Sequence, residues 1–204
     1  MKLYYSPGAC SLSPHIVLHE LGLAVDAVKV DLGSKVMDGG GDFRSVNPKG
    51  YVPVLQLDDG SLLTEGPAIV QYLADRKPEA GLAPANGTLE RYRLQEWLNF
   101  IATELHKQFS PLFNAESTDA VKDAQRKRLG TRFDYLAQTL GRQDWLLAGG
   151  YSVADAYLFT VLGWTAHVGP DLAAWPALQA YMQRVQARPA VAATLAAERG
   201  ARRD

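Results

Sequence analysis

Met1-Lys2-Leu3-Tyr4-Tyr5-Ser6-Pro7-Gly8-Ala9-Cys10-Ser11-Leu12 is the stretch that decides how this chain is read. Leu3-Tyr4-Tyr5 is a short apolar run of strand composition, and Ser6-Pro7-Gly8 stops it with turn residues. Leu12, Ile16, Val17 and Leu21 then recur at helical spacing, and Gly22 is placed to end the helix. Cys10 therefore falls between a strand and a helix start, where backbone amides and the helix dipole favour an anion. A thiol so placed is expected to lean toward its thiolate. The bland alternative is a buried, inert side chain. Cys10 is the single cysteine, so no disulfide can close within the chain.

Outward from that stretch, Val28 and Val30 alternate with Lys29 and Asp31, a second strand. Val52 to Leu57 and Leu62-Leu63 are short β runs joined by Asp58-Asp59-Gly60, a hairpin signal. Pro67 suits the first turn of the helix that Ala68 to Leu73 continues. A helical crossover makes the first two strands parallel, whereas the tight turn makes the last two antiparallel. The order strand, helix, strand, loop, hairpin, helix describes a thioredoxin-like α/β domain with a mixed four-stranded sheet over residues 1–78.

Lys77 to Gly87 carries two prolines, two glycines and three alanines and reads as a linker. Beyond it, residues 88–204 read as an all-helical domain with no strand. Its helical runs are Leu89–Phe109, Asp119–Leu140, Val153–Val168, Ala174–Ala187 and Ala190–Glu198. Ser152 and Asp155 have capping-box spacing, and the helix they start is apolar nearly all round, hence central.

Hydrophobic residues make up 47% of the 204 and charged residues 21%, ordinary globular usage. With 21 basic and 22 acidic residues the formal charge is -1, a poor footprint for nucleic acid. The basic tail of Arg199, Arg202 and Arg203 reads as a solvated end. No apolar run is long enough to span a membrane, and the start does not read as an export signal. The expected address is cytoplasmic.

Cys10-Ser11-Leu12-Ser13 has the form of a redox C-x-x-C motif with serine in the second position. Disulfide chemistry at Cys10 would then need an external thiol. On the long helix after the linker, Leu94, Trp97, Leu98, Ile101 and Leu105 form a core-facing stripe. Asn99, Thr103, His106 and Lys107 fall roughly opposite, either a solvated face or donors for an anionic ligand. Glu65, ahead of Gly66 and Pro67, either complements a helix dipole or receives an α-amino and carboxylate pair. A cis Val52-Pro53 bond would expose the backbone groups of Val52 to a ligand, but most X-Pro bonds are trans, so the isomer stays open. Gly39-Gly40-Gly41 lacks the residues of a phosphate loop. His15, His19 and Glu20 lack a further ligand, so no metal is expected.

Met1 to Ser11, Asn47 to Pro53, Leu63 to Ile69, Trp97-Leu98-Asn99, Glu104 to Lys107 and Ser152 to Phe159 together resemble cytosolic-type glutathione S-transferases, most closely the bacterial beta class. The resemblance implies a homodimer that binds glutathione as co-substrate in the first domain and an apolar electrophile against the second, for detoxification. It implies Cys10 and His106 at the glutathione sulfur, Lys35, Val52, Glu65 and Gly66 on the tripeptide, and Lys107 near its glycine end. Asn99 and Thr103 are assigned to the same cleft, with the contributing subunit open. Many relatives have Glu-Ser where this chain has Glu65-Gly66, which removes a hydroxyl but leaves the Gly66 amide. Other classes place Tyr or Ser at the sulfur, and Tyr5 and Ser11 are the residues here that would take that role.

Two alternatives accompany conjugation. One is glutathione-dependent thiol–disulfide exchange, or reductive dehalogenation, through a Cys10 mixed disulfide. The other is a non-catalytic carrier of hydrophobic ligands. The electrophile is not named by the sequence, since Phe113, Tyr157 and Trp164 serve equally as core or pocket.

Overall fold

The computed structural model describes residues 1–201. Arg202 and Arg203 of the basic tail lie outside the described residues. The chain forms two compact units, Met1–Gly81 together with the segment from Arg188 onward, and Leu82–Ala187.

In the first unit β1 (Lys2–Tyr5) leads through the Pro7-Gly8 turn into α1 (Leu12–Glu20) and returns as β2 (Asp26–Lys29). β1 and β2 are parallel, with Leu3 opposite Ala27. Gly22, at φ 58, ends α1 by donating to the His19 carbonyl, while Leu23 donates to that of Leu18. This Schellman pattern caps carbonyls that would otherwise be orphaned. β3 (Val54–Gln56) and β4 (Leu62–Thr64) form the expected hairpin, and the sheet order is β2-β1-β3-β4. The hairpin turn uses Gly60 at φ 85, and Asp59 accepts from the Ser61 amide. α2 (Gly66–Arg76) follows. Tyr4, Val30, Phe43, Val52 and Val54 pack as one apolar cluster on the sheet. Phe43 opens a single 3-10 turn, Phe43–Ser45, which Asp42 caps through the Arg44 amide.

The second unit carries α3 (Leu89–Phe100), a π turn (Ile101–His106), α4 (Lys107–Phe113), α5 (Asp119–Leu140), α6 (Val153–Gly163) and α7 (Pro176–Gln186). Every residue from Val153 to Leu162 is buried. Asp155, fully buried, accepts hydrogen bonds from Leu146 N, Ser152 N, Ser152 Oγ and Tyr181 Oη at 2.9–3.1 Å. Burial pushes its carboxyl up, and those hydrogen bonds oppose the shift.

Two features differ from the sequence reading. The run drawn as one helix over Leu89–Phe109 continues to Phe113 and is interrupted by the π turn. Thr103 Oγ1 donates to the Asn99 carbonyl at 3.0 Å, a local competitor for the helical ladder, and Pro111 removes a donor downstream. The last helix, α8 (Pro189–Ala201), packs with the first unit although residues 88–204 read as the helical domain. Val191, Thr194 and Glu198 form its buried stripe. Arg188 grips Glu20 at 2.6 and 2.9 Å, and Thr194 Oγ1 lies 3.0 Å from His19 Nδ1.

Candidate functional site

Cys10 sits two residues before α1, partly buried, with its Sγ 3.2 Å from the Val52 carbonyl. Only the thiol form can donate that bond. The Val52-Pro53 peptide is cis. Around Cys10 the turn is tied down at several points. Ser11 Oγ accepts from Ser6 N and donates to Ser6 O at 3.0 and 3.2 Å. Ser13 Oγ donates to the Cys10 carbonyl at 3.0 Å. Glu198 Oε2 accepts from the Gly8 amide at 2.7 Å, and its Oε1 meets His15 Nδ1 at 2.9 Å. Ser11 is fully buried with its hydroxyl spent on the backbone, so it acts as a strut. Burial, followed by the nearby charges of Glu198 and Asp38, pushes the Tyr5 phenol up, which keeps that hydroxyl protonated.

Two of the tripeptide-binding candidates share a backbone feature. Among the described residues, Lys35 at φ 65 and Glu65 at φ 69 are the two non-glycine positions with positive φ. Such conformations cost on the order of 1–3 kcal/mol and persist where the surroundings or the function require them. Glu65 stands ahead of α2 and pairs with Lys49 Nζ at 2.7 Å, while Lys49 also reaches Thr64 Oγ1 at 3.1 Å. A Cβ on Gly66 would lie 3.9 Å from Ser13 Oγ, and one on Gly50 3.7 Å from the Lys35 side chain. The Asn47 to Tyr51 turn is built on buried Asn47, whose Nδ2 donates to the Tyr51 carbonyl at 2.8 Å. These contacts bring Cys10 to Val52, and Gly66 to the Ser13 side chain that braces Cys10. Lys49 joins Glu65, and Lys35 lies along Gly50.

In the helical unit Asn99, Thr103 and Lys107 are exposed and His106 is half-buried at the end of the π turn. π turns recur at functional positions in helices. His106 Nδ1 lies 2.6 Å from Tyr157 Oη. The Trp164 ring stands edge-on to the imidazole, centroids 4.9 Å apart, and Phe109 and Phe113 continue the aromatic group at 5.5 and 5.8 Å from Trp164. Among the described residues no group of three or more His, Cys, Asp or Glu side chains could hold a metal ion.

Two family models match the chain. "Glutathione S-transferase, N-terminal domain" matches residues 8–76 and "Glutathione S-transferase, C-terminal domain" matches residues 100–189. The chain is 47% identical to glutathione S-transferase GstA of Escherichia coli O157:H7 over 97% of this chain and 98% of that protein. The chain belongs to the glutathione S-transferase family. Its structure superposes on a ternary complex of BphK, a bacterial transferase, with TM-score 0.95 at 61% identity, covering 97% and 99% of the two chains. A beta-class glutathione S-transferase of Sphingomonas chungbukensis gives TM-score 0.94 at 52% identity over 97% and 98%.

Two residues of this transferase stand out only in the structure. Lys49 lies inside the quoted Asn47 to Pro53 string, but nothing in the spacing pairs it with Glu65. Glu198 lies more than 180 positions from the turn it grips, and a buried acid late in a helical stripe is the only trace it leaves in sequence.

Proposed function

We propose that this transferase adds the thiolate of glutathione to electrophilic, largely apolar compounds, as a cytoplasmic homodimer that serves detoxification and needs no metal. The observation that carries the reading is the strapped Cys10 turn, whose thiol meets the Val52 carbonyl at 3.2 Å. Val52 offers backbone groups to a peptide ligand. Glu65 carries a carboxylate for an α-amino group, and the Gly66 amide at the start of α2 suits the carboxylate beside it. Lys35 is the cation assigned to the remaining negative charge of the tripeptide.

The reading assigns Cys10 and His106 to the glutathione sulfur, where each lowers the cost of ionising it by hydrogen bonding and neither attacks the electrophile. Lys107 serves the glycine end, and Asn99 and Thr103 add polar contacts. Exposed Phe113 supplies an aromatic wall for the electrophile, with Trp164 and Phe109 packed behind it. The test is conjugation of glutathione to a chloronitrobenzene by the wild type beside Cys10→Ala. Saturable turnover that falls in the variant supports the assignment, and equal turnover and glutathione affinity in both would remove Cys10 from it.

The Cys10-Ser11-Leu12-Ser13 string favours a second reading. Cys10 attacks the glutathione sulfur of a mixed disulfide substrate, releasing the substrate thiolate and forming a Cys10–glutathione disulfide, and a second glutathione attacks that bond, restoring the Cys10 thiol and leaving as oxidised glutathione. Mass spectrometry after incubation with oxidised glutathione decides it. A one-glutathione adduct at Cys10 without conjugation of the nitrobenzene would favour exchange over transfer.

A further inference from the structure

Tyr157 and Trp164, both in the helical unit, hold His106. It closes the π turn Ile101–His106, and the Trp164 ring meets its imidazole edge-on at 67°. Tyr157 Oη lies 2.6 Å from Nδ1, with the two rings at 78°. Tyr157 is 2% exposed on α6, whose first turn is fixed two residues earlier by the capping box of Ser152 and Asp155. The hydroxyl is therefore delivered from a rigid element and has little freedom to leave Nδ1.

The direction of that hydrogen bond follows from chemistry. A phenol is a stronger acid than a neutral imidazole N–H, and an imidazole nitrogen is a stronger base than a phenol oxygen. At 2.6 Å the Tyr157 hydroxyl donates and Nδ1 accepts. A neutral imidazole has one ring proton, so that proton resides on Nε2. We propose that Tyr157 is the positioning residue of His106, fixing the ring as the Nε2–H tautomer so that it can donate to glutathione sulfur. The inference rests on the assignment of His106 to that sulfur. A thiolate only accepts hydrogen bonds, so the opposite tautomer would turn a lone pair toward an anion and lose the stabilisation.

Tyr157→Phe removes the hydroxyl and keeps the ring and its packing. Long-range proton–nitrogen spectra of the histidine side chains should show His106 as one Nε2–H tautomer in the wild type and as a mixture in Tyr157→Phe. The kcat for conjugation should fall about tenfold, the scale of losing an orienting partner behind a functional histidine. KM for glutathione should stay within about twofold, since binding groups are untouched. In a His106→Ala background the same substitution should cost nothing further. A wild-type Nδ1–H tautomer, an unchanged tautomer in Tyr157→Phe, or an equal kcat loss with and without His106 would overturn the proposal. A tautomer shift with full turnover in both Tyr157→Phe and His106→Ala would sustain the positioning of the ring and defeat only the role of His106 at sulfur.

Discussion

Replacing Glu198 by Ala should loosen the turn that carries Cys10 from a distance of nearly the whole chain. The carboxylate is 3% exposed and makes two short contacts, to the Gly8 amide at 2.7 Å and to His15 Nδ1 at 2.9 Å. A hydrogen bond to a charged group contributes about 1.5–3 kcal/mol, and removing one member of a buried pair costs about 3–5 kcal/mol because its partners stay behind unsatisfied. A net loss of about 3–4 kcal/mol follows, or roughly 6–16 °C in melting temperature at about 2–4 °C per kcal/mol. Glu198→Gln keeps one acceptor for Gly8 and should lose about 1–2 kcal/mol, the charge-assisted part. The four tryptophans, Trp97, Trp145, Trp164 and Trp175, all lie in the helical unit, so fluorescence reports that unit alone. Far-ultraviolet circular dichroism reports both units, and hydrogen exchange at the Gly8 amide reports the first. In the Ala variant the dichroism transition should drop and Gly8 exchange should accelerate, with both effects smaller in the Gln variant. A Glu198→Ala protein that melts within about 2 °C of wild type and keeps Gly8 protected would refute the reasoning.

Other substitutions probe separate parts of the account. Glu65→Gly relieves a positive φ and should stabilise the fold by about 1 kcal/mol while glutathione affinity falls, a pairing that urea unfolding and calorimetry can check together. Gly66→Ser meets Ser13 Oγ at ordinary contact distance and has no positive φ to strain, so folding should be unaffected and KM for glutathione equal or lower. Asp155→Ala strips the acceptor from four buried donors and should cost more than about 3 kcal/mol, read as a lowered urea midpoint of the tryptophan signal. Burial, with His15 beside it, holds the His19 imidazole below its usual range. The unfolded chain therefore takes up that proton at higher pH than the folded one. The associated stability is complete above the usual histidine pKa of about 6.5 and is lost as pH falls below it. His19→Gln should flatten the decline in unfolding midpoint on acidification through that range.

Much of this is legible in the sequence. The Leu3 to Leu12 string specified strand, turn and helix, and the Asp59-Gly60 step specified the hairpin, because turn residues and periodicity act over a few positions. The capping box at Ser152 and Asp155 was equally local. The π turn escaped because the side chains of Leu89 to Phe109 keep helical spacing, and only the Thr103 hydroxyl and Pro111 hint at irregular hydrogen bonding. The docking of α8 on α1 escaped for a different reason. Its stripe of Val191, Thr194 and Glu198 shows that a face is buried, but periodicity does not say against what. Positive φ at Lys35 and Glu65 likewise leaves no compositional mark, since neither residue type is favoured there.

The central claim is that the protein ionises glutathione's own thiol at neutral pH, and the thiolate absorbance band in the ultraviolet measures this directly. Wild type titrated with glutathione should develop the band saturably, in step with calorimetric binding, and Cys10→Ala should show a weaker band at equal occupancy. Glutathione bound at saturation with no thiolate band above that of the free tripeptide would contradict the account.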